Sequence, residues 1–252
     1  MEKRVVEKKV MISDESVKNF FEDRAKKILP HKYNYAIYQD DNPELAIKRD
    51  EYEKKFILDK LDLQKGVRIL DIGCGVGRWA DEFTKCDIGI YVGVDICKDY
   101  LKIAQESVKQ NAERFSFVEG SFTNVLESLV TNKLPLKYDL ILINGVFLYI
   151  NDDKIEDCLK IVKGLLSEEG KVYIKDAIGI ANRLTLQEYK SEELKGNYSA
   201  IYRPLQDWNQ WLGKVFSSDN FIISDEGSMW PKDMRNRSET EQYYWVIAAI
   251  KG

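Results

Sequence analysis

The chain has 252 residues, with 38 Lys and Arg against 42 Asp and Glu for a formal net charge of −4, and it is 44% apolar and 32% charged. That length suits one large α/β domain or two small ones, and the composition excludes disordered, collagenous and disulfide-scaffold classes. The acidic balance supplies no global positive field for a polyphosphate backbone, which argues against a dedicated nucleic-acid binder.

The start, MEKRVVEKKVMISDESV, is charged throughout. It lacks the continuous apolar core of a secretory signal and reads as the solvated, frayed end of a cytoplasmic protein. Helical patterns follow at 13–29 and 42–61, separated by a polar-aromatic loop at 31–41. Residues 1–62 are therefore expected to form a helical cap on a main domain at 63–252. From Leu63 onward, short β-branched runs alternate with amphipathic helices, the pattern of a parallel sheet covered by helices. Strands are expected at 67–71, 90–95, 115–119, 138–144, 171–176, 221–225 and 243–250, and helices at 98–112 and 152–166. Asp152 should N-cap the second helix and Gly170 should close the loop after it. The link at 226–241 holds no helical crossover, so the final strand should run antiparallel. The most apolar run, 140–150, is far short of the roughly 20 residues a membrane-spanning helix requires.

Four cysteines, Cys74, Cys86, Cys97 and Cys158, show no C-x-x-C spacing, and His31 is the single histidine. No zinc site of ordinary spacing can be assembled from these residues, and reduced thiols are expected. No G-x-S-x-G elbow is present, which disfavours a hydrolase.

The segment Val67-Arg-Ile-Leu-Asp-Ile-Gly-Cys-Gly-Val-Gly-Arg-Trp79 reads as a strand feeding a glycine loop that opens a helix. Gly73, Gly75 and Gly77 let the backbone approach a ligand and aim amide N–H groups into the crevice at the strand's carboxyl end, with Cys74 a small loop residue. A dinucleotide fingerprint needs its third glycine at 78, where Arg78 stands. Asp71 would also face a pyrophosphate with a negative charge, so a cationic ligand is favoured over NAD. S-adenosylmethionine fits, with a sulfonium and an ammonium beside a carboxylate that can use the helix N-terminus. Asp95 ends the next strand about 20 residues past the first glycine, the spacing at which a carboxylate reaches ribose hydroxyls.

These segments resemble the class I S-adenosylmethionine-dependent methyltransferases, and L-D-I-G-C-G-V-G-R-W is among the more specific forms of that family's first motif. The resemblance runs from Val67 to Ile250. It implies an α/β Rossmann-like sheet of seven strands in the order 3-2-1-4-5-7-6 with strand 7 antiparallel, beneath the N-terminal helical cap. It further implies Asp95 and Ile96 against the ribose, Ser121 and Phe122 against the adenine, and Asn144 near the methionine moiety. Where relatives often show N-G-V-L-x-H, this chain reads Asn144-Gly-Val-Phe-Leu-Tyr149, so tyrosine replaces a frequent catalytic histidine. The resemblance extends to bacterial small-molecule enzymes associated with surface-polysaccharide modification.

On the acceptor side, an insertion at about 178–215 carries Arg183, Tyr198, Tyr202 and Arg203, and a later loop carries Lys232, Arg235 and Arg237. Guanidinium forks between aromatics suit a carboxylate or phosphate, so a small anionic acceptor (phosphorylated, carboxylated or a nucleotide-linked sugar) is expected. Tyr33 and Tyr35 of the cap are further candidate contacts. Tyr149 and His31 are the candidates for proton handling. Methyl transfer needs mainly in-line positioning, which supplies on the order of 7–11 kcal/mol. Asn144 and Asp176 end neighbouring strands without a third carboxylate, so metal independence is expected. Two other readings stand beside this one: a cofactor-binding regulatory module without chemistry, and an NAD-dependent oxidoreductase.

Overall fold

The computed structural model describes residues 3–27, 29–217 and 220–250. Met1, Glu2, Lys251 and Gly252 of the expected ends, and Ile28 of the first expected helix, lie outside the described residues.

The central strands are β2 (Val67–Ile72), β3 (Ile88–Asp95), β4 (Phe115–Glu119), β5 (Tyr138–Asn144) and β6 (Leu166–Gly179). They are followed late in the chain by β9 (Phe221–Ser228) and β10 (Thr240–Ala249). Their spatial order is β4-β3-β2-β5-β6-β10-β9, parallel through β6, with β10 antiparallel to both neighbours. The expected seven-strand topology is therefore present. The apolar runs VRILDI and YDLILIN are buried on both faces, as parallel strands between helical layers require.

Alternate residues serve opposite layers. Leu70, Ile72, Ile141 and Ile143 pack against α5 (Val125–Thr131), α6 (Asp152–Leu165) and α7 (Leu205–Phe216). Val67, Ile69, Leu140 and Leu142 pack against α2 (Pro43–Leu61) and α3 (Arg78–Phe83). Helix α2 starts at a pre-organised end, where Asn42 accepts from Leu45 N at 3.1 Å and proline occupies the first turn. Its Ile57 and Leu61 are fully buried in the same cluster as Trp79 and Phe83, so this helix is a layer of the core as well as a cover. Helix α1 (Asp14–Ala25), capped by Ser13, and α4 (Lys98–Ser107) complete the set.

Four expectations need correcting. The lysine-rich start is not frayed: β1 (Arg4–Val6) pairs antiparallel with β7 (Leu184–Ser191). The insertion is not open loop, because β7 and β8 (Gly196–Pro204) form an antiparallel pair that joins the sheet where β6 outruns β5, with Ile178 opposite Arg203. The sheet accordingly has ten strands among the described residues rather than seven. The helix expected at 98–112 ends at Ser107 and continues as a tighter turn over Lys109–Arg114. The N-cap position of α6 falls on Asn151, not Asp152, and the Asn151 side chain bonds the Ile12 backbone rather than the helix end.

Candidate active site

A cleft of about 820 Å³ opens at the carboxyl ends of the parallel strands. The loop after β2 reaches it through Gly73, Gly75 and Gly77, all with positive φ (75°, 54° and 76°). A Cβ on Gly73 would lie 2.3 Å from the Val146 side chain, and one on Gly77 would lie 2.8 Å from Ala104 Cβ. Gly73 and Gly75 line the cleft, whereas Gly77 lets α3 seat against α4. This is the close-approach backbone that a cofactor's methionine end requires.

Asp95 closes the loop from the other side. Its Oδ2 accepts from Gly75 N at 2.9 Å and its Oδ1 from Cys97 N at 2.8 Å. Burial pushes its carboxyl up to about 6, against the pull of the Cys97, Gly75 and Ile96 amides. Each oxygen keeps a lone pair for a hydroxyl. Ile96, Ser121, Phe122 and Asn144 line the cleft beside it, as the resemblance implies. The adjacent Tyr100 hydroxyl is buried without a partner, an orphan donor that a ligand could satisfy. These residues fit an S-adenosyl ligand.

The floor is held by charges the sequence reading did not select. Glu53 of α2 is fully buried and accepts from Arg78 Nη2 at 2.7 Å, Tyr173 OH at 2.9 Å and Lys175 Nζ at 2.5 Å. Burial alone would raise its carboxyl, but Arg78 and Lys175 prevail and hold it below the usual carboxylate range. With its amide turned to satisfy both neighbours, Asn144 donates to Glu53 Oε1, the oxygen that also accepts from Tyr173, at 3.3 Å and accepts from Trp79 Nε1 at 3.0 Å. Asp50 joins Arg78 at 2.7 Å and Lys54 at 2.6 Å. Helix α2 thereby sets the three cleft-lining side chains Arg78, Asn144 and Lys175. One signal was available: Arg49, Asp50, Glu53 and Lys54 interrupt the apolar stripe of Ala46, Ile57 and Leu61, so charge occupies the buried face of the helix.

The outer half of the cleft is aromatic. Tyr149 OH lies 2.8 Å from Tyr38 OH and 3.0 Å from Tyr198 OH, and Tyr202 OH donates to Tyr198 OH at 3.5 Å. Burial raises the Tyr38, Tyr149, Tyr198 and Tyr202 hydroxyls above their ordinary value. They therefore remain protonated at neutral pH. Tyr35, Trp230, Arg49, Arg235 and Arg237 complete this end.

Several expected residues sit elsewhere. Asp71 is 2% exposed beneath the loop, where it accepts from Tyr91 OH, and burial pushes it up to about 7. It does not line the cleft. Cys74 is buried, and burial raises its thiol well above the ordinary value. His31 caps the turn at 32–35, its Nδ1 accepting from Tyr33 N at 3.2 Å, and Tyr33 OH donates to Asp81 at 2.9 Å. Neither residue reaches the cleft wall. Arg183 and Arg203 are 5% and 1% exposed and grip Asp152 Oδ1 at 2.7 and 2.8 Å. Arg203 also donates to the carbonyls of Phe147 and Ile150. These two arginines brace the turn that carries Tyr149 and do not face the cleft, because the insertion folded into strands that turn them inward.

Among the described residues, no group of three or more His, Cys, Asp or Glu gathers in a metal-binding arrangement, and no helix is long and apolar enough to cross a membrane.

Comparison with known proteins agrees with this geometry. The family model described as "Methyltransferase domain" matches residues 63–244. Phosphoethanolamine N-methyltransferase 1 of Zea mays is 22% identical over 167 residues, 66% of this chain and 32% of that protein. Ribosomal protein L11 methyltransferase of Dictyoglomus thermophilum is 26% identical over 136 residues, 53% of this chain and 40% of that protein. The chain thus spans well under half the length of these curated relatives. Among solved structures, Haemonchus contortus phosphoethanolamine N-methyltransferase 1, in complex with phosphoethanolamine and S-adenosylhomocysteine, superposes with a TM-score of 0.69 at 16% identity. That superposition covers 95% of this chain and 49% of the other. A Leishmania major S-adenosylmethionine-dependent methyltransferase gives a TM-score of 0.59 at 17% identity over 90% of this chain and 81% of its own. The glycine loop, the strand order and the span of the family match lead to one conclusion: the chain belongs to the class I S-adenosylmethionine-dependent methyltransferases.

Proposed function

We propose that the protein transfers a methyl group from S-adenosylmethionine to a small acceptor that carries an anionic group. The observation that carries this reading is the outer half of the cleft, a tyrosine-walled chamber beyond the glycine loop. It is lined by Arg49, which has no carboxylate partner among the described residues, and by Lys175, Arg235 and Arg237, which pair with Glu53, Glu241 and Glu193. A chamber of this kind suits a compact acceptor with one charged end and one nucleophilic end. The net charge of −4 favours a small molecule over RNA. The maize and Haemonchus relatives, named for phosphoethanolamine, support the same class.

The bound cofactor supplies an electrophilic methyl group on a sulfonium. The chain's part is to hold it through Gly73, Gly75, Asp95, Ile96, Ser121, Phe122 and Asn144, and to present the acceptor. Tyr149, Tyr38 and Tyr198 orient an acceptor atom by hydrogen bonds, and burial keeps their hydroxyls protonated, so none is available to accept a proton at neutral pH. Positioning, worth on the order of 7–11 kcal/mol, then outweighs proton transfer, worth about 3–5 kcal/mol. An amine, carboxylate or phosphoryl oxygen brings its own lone pair and needs no strong base.

The test is labelled methyl transfer against phosphorylated amines, carboxylates and nucleotide-linked sugars, with RNA fragments and ribosomal protein alongside. Transfer confined to the macromolecules would refute a small acceptor. Tight adenosylhomocysteine binding without transfer to any acceptor would favour the regulatory module.

A further inference from the structure

We propose that Arg49 of α2 is the anion-binding residue of the acceptor chamber, taking a phosphate or carboxylate oxyanion of the incoming molecule against the indole of Trp230. This rests on the methyl-transfer reading above and specifies where the acceptor's charge is held.

Seven cations are buried among the described residues, and six have carboxylate partners. Arg24 pairs with Asp40, Lys54 with Asp50, Arg78 with Asp50 and Glu53, Lys175 with Glu53, and Arg183 and Arg203 with Asp152. Arg49 is the exception. It is 7% exposed and lines the cleft, yet no carboxylate lies within ion-pair reach. Its hydrogen bonds go to neutral acceptors: Nε at 3.1 Å and Nη2 both bond Met234 O, and Nη2 bonds Asn236 Oδ1 at 2.9 Å. Nη1 has no hydrogen-bond partner in the structure. Removing a charge from water without a counter-ion costs several kcal/mol, so a ligand anion is the natural complement.

The surroundings agree. Arg49 stands over the Trp230 ring at 5.6 Å, and Lys175 stands over the same ring at 5.4 Å. Two cations therefore flank one indole at the chamber wall, of which Lys175 alone is neutralised, by Glu53. Burial is the main cause that lowers Arg49 to about 10, with Arg237 lowering it and Glu193, which pairs with Arg237, raising it, so an arriving oxyanion chiefly offsets desolvation. With Nε and Nη2 engaged, the guanidinium keeps Nη1 to donate to one oxyanion oxygen beside the indole face.

The experiment titrates inorganic phosphate, and separately acetate, into the full chain saturated with adenosylhomocysteine. Calorimetry and thermal melting are read for wild type, R49M, R49K and the distant surface variant K160M. Wild type and K160M should bind the preferred anion saturably. R49M should weaken binding at least about tenfold, the loss expected of a charge-assisted contact, with R49K in between. Unaltered adenosylhomocysteine affinity in R49M shows that the variant is folded. A stronger response to phosphate marks a phosphorylated acceptor, and a stronger response to acetate a carboxylated one. Equal anion binding by R49M and wild type, or no saturable binding by wild type, overturns the site. Anion binding that requires Arg49 while no acceptor is methylated keeps the site and overturns methyl transfer. An acceptor that is methylated with the same KM by R49M and wild type does the reverse.

Discussion

Replacing Asp95 by asparagine tests the ribose contact proposed for it. Each carboxylate oxygen already accepts one backbone N–H, from Gly75 at 2.9 Å and Cys97 at 2.8 Å, and has one direction left for a hydroxyl. The asparagine nitrogen cannot accept, so either amide orientation places it against a backbone N–H and removes one hydroxyl contact. A charge-assisted hydrogen bond is worth about 1.5–3 kcal/mol, or about 10–150-fold in Kd. The pH dependence gives a second, independent signature. Burial has raised Asp95 to about 6, so acidification through that value protonates the acceptor that the ribose needs. Adenosylhomocysteine affinity should be flat above about pH 7 and fall roughly tenfold per unit below 6 in the wild type, while the asparagine variant loses the Asp95 part of that fall. Calorimetry from about pH 5 to 8 measures both effects. A folded variant whose Kd stays within about twofold of wild type, or a wild-type affinity indifferent to pH, would refute the assignment.

Tyr149→Phe removes a hydroxyl that bridges Tyr38 and Tyr198 and is held protonated. Its kcat at saturating substrates should fall less than about a hundredfold, and a larger loss would restore base catalysis. Asp152→Ala leaves the buried Arg203 without a carboxylate and Arg183 with Asp207 alone at 3.3 Å, and should lower unfolding stability by about 3–5 kcal/mol in denaturant titration. Arg183→Lys and Arg203→Lys should likewise shift melting and leave acceptor KM in place; a KM effect without a melting effect would return them to the acceptor site. Asp71 has a folded pKa of about 7 against an ordinary 3.8, so the stability it contributes is complete below 3.8 and lost as pH rises through 7. Asp71→Asn, which still accepts from Tyr91 OH, should therefore melt higher than wild type at about pH 8 and match it near pH 4, as scanning calorimetry would show.

The cleft's inner half, where the cofactor is proposed to sit, was legible in the sequence as a structure because it is built from contiguous signals: a strand, three glycines at fixed spacing, and an acid ending the next strand. Asp71 was misplaced because strand alternation, which the apolar pattern does not resolve on a doubly buried strand, turns it under the loop. The acceptor half was not legible in the same way. Arg183 and Arg203 look like acceptor-loop arginines beside Tyr198 and Tyr202, although tyrosines also favour strands. Arg49 and Glu53 were hidden for the opposite reason, since charged residues on a helix read as its solvated face until a sheet covers them. The expected acidic end of α6 was visible as Asp152, yet its role depends on arginines far along the chain that no local window links to it.

The pairing of Arg4 with Leu186 has a consequence for the order in which the molecule is assembled. The residues proposed to contact the cofactor, from Gly73 to Asn144, lie in one uninterrupted stretch of the chain. The chamber beyond it draws on residues near both ends, from Tyr38 and Arg49 to Trp230 and Gln242. Its walls close only once the antiparallel β10 has entered the sheet between β6 and β9. Long loops must be closed before such contacts repay their entropy, which makes them the slow step of folding. The glycine loop and the acceptor chamber therefore rest on contacts of very different sequence separation, short for the one and chain-spanning for the other.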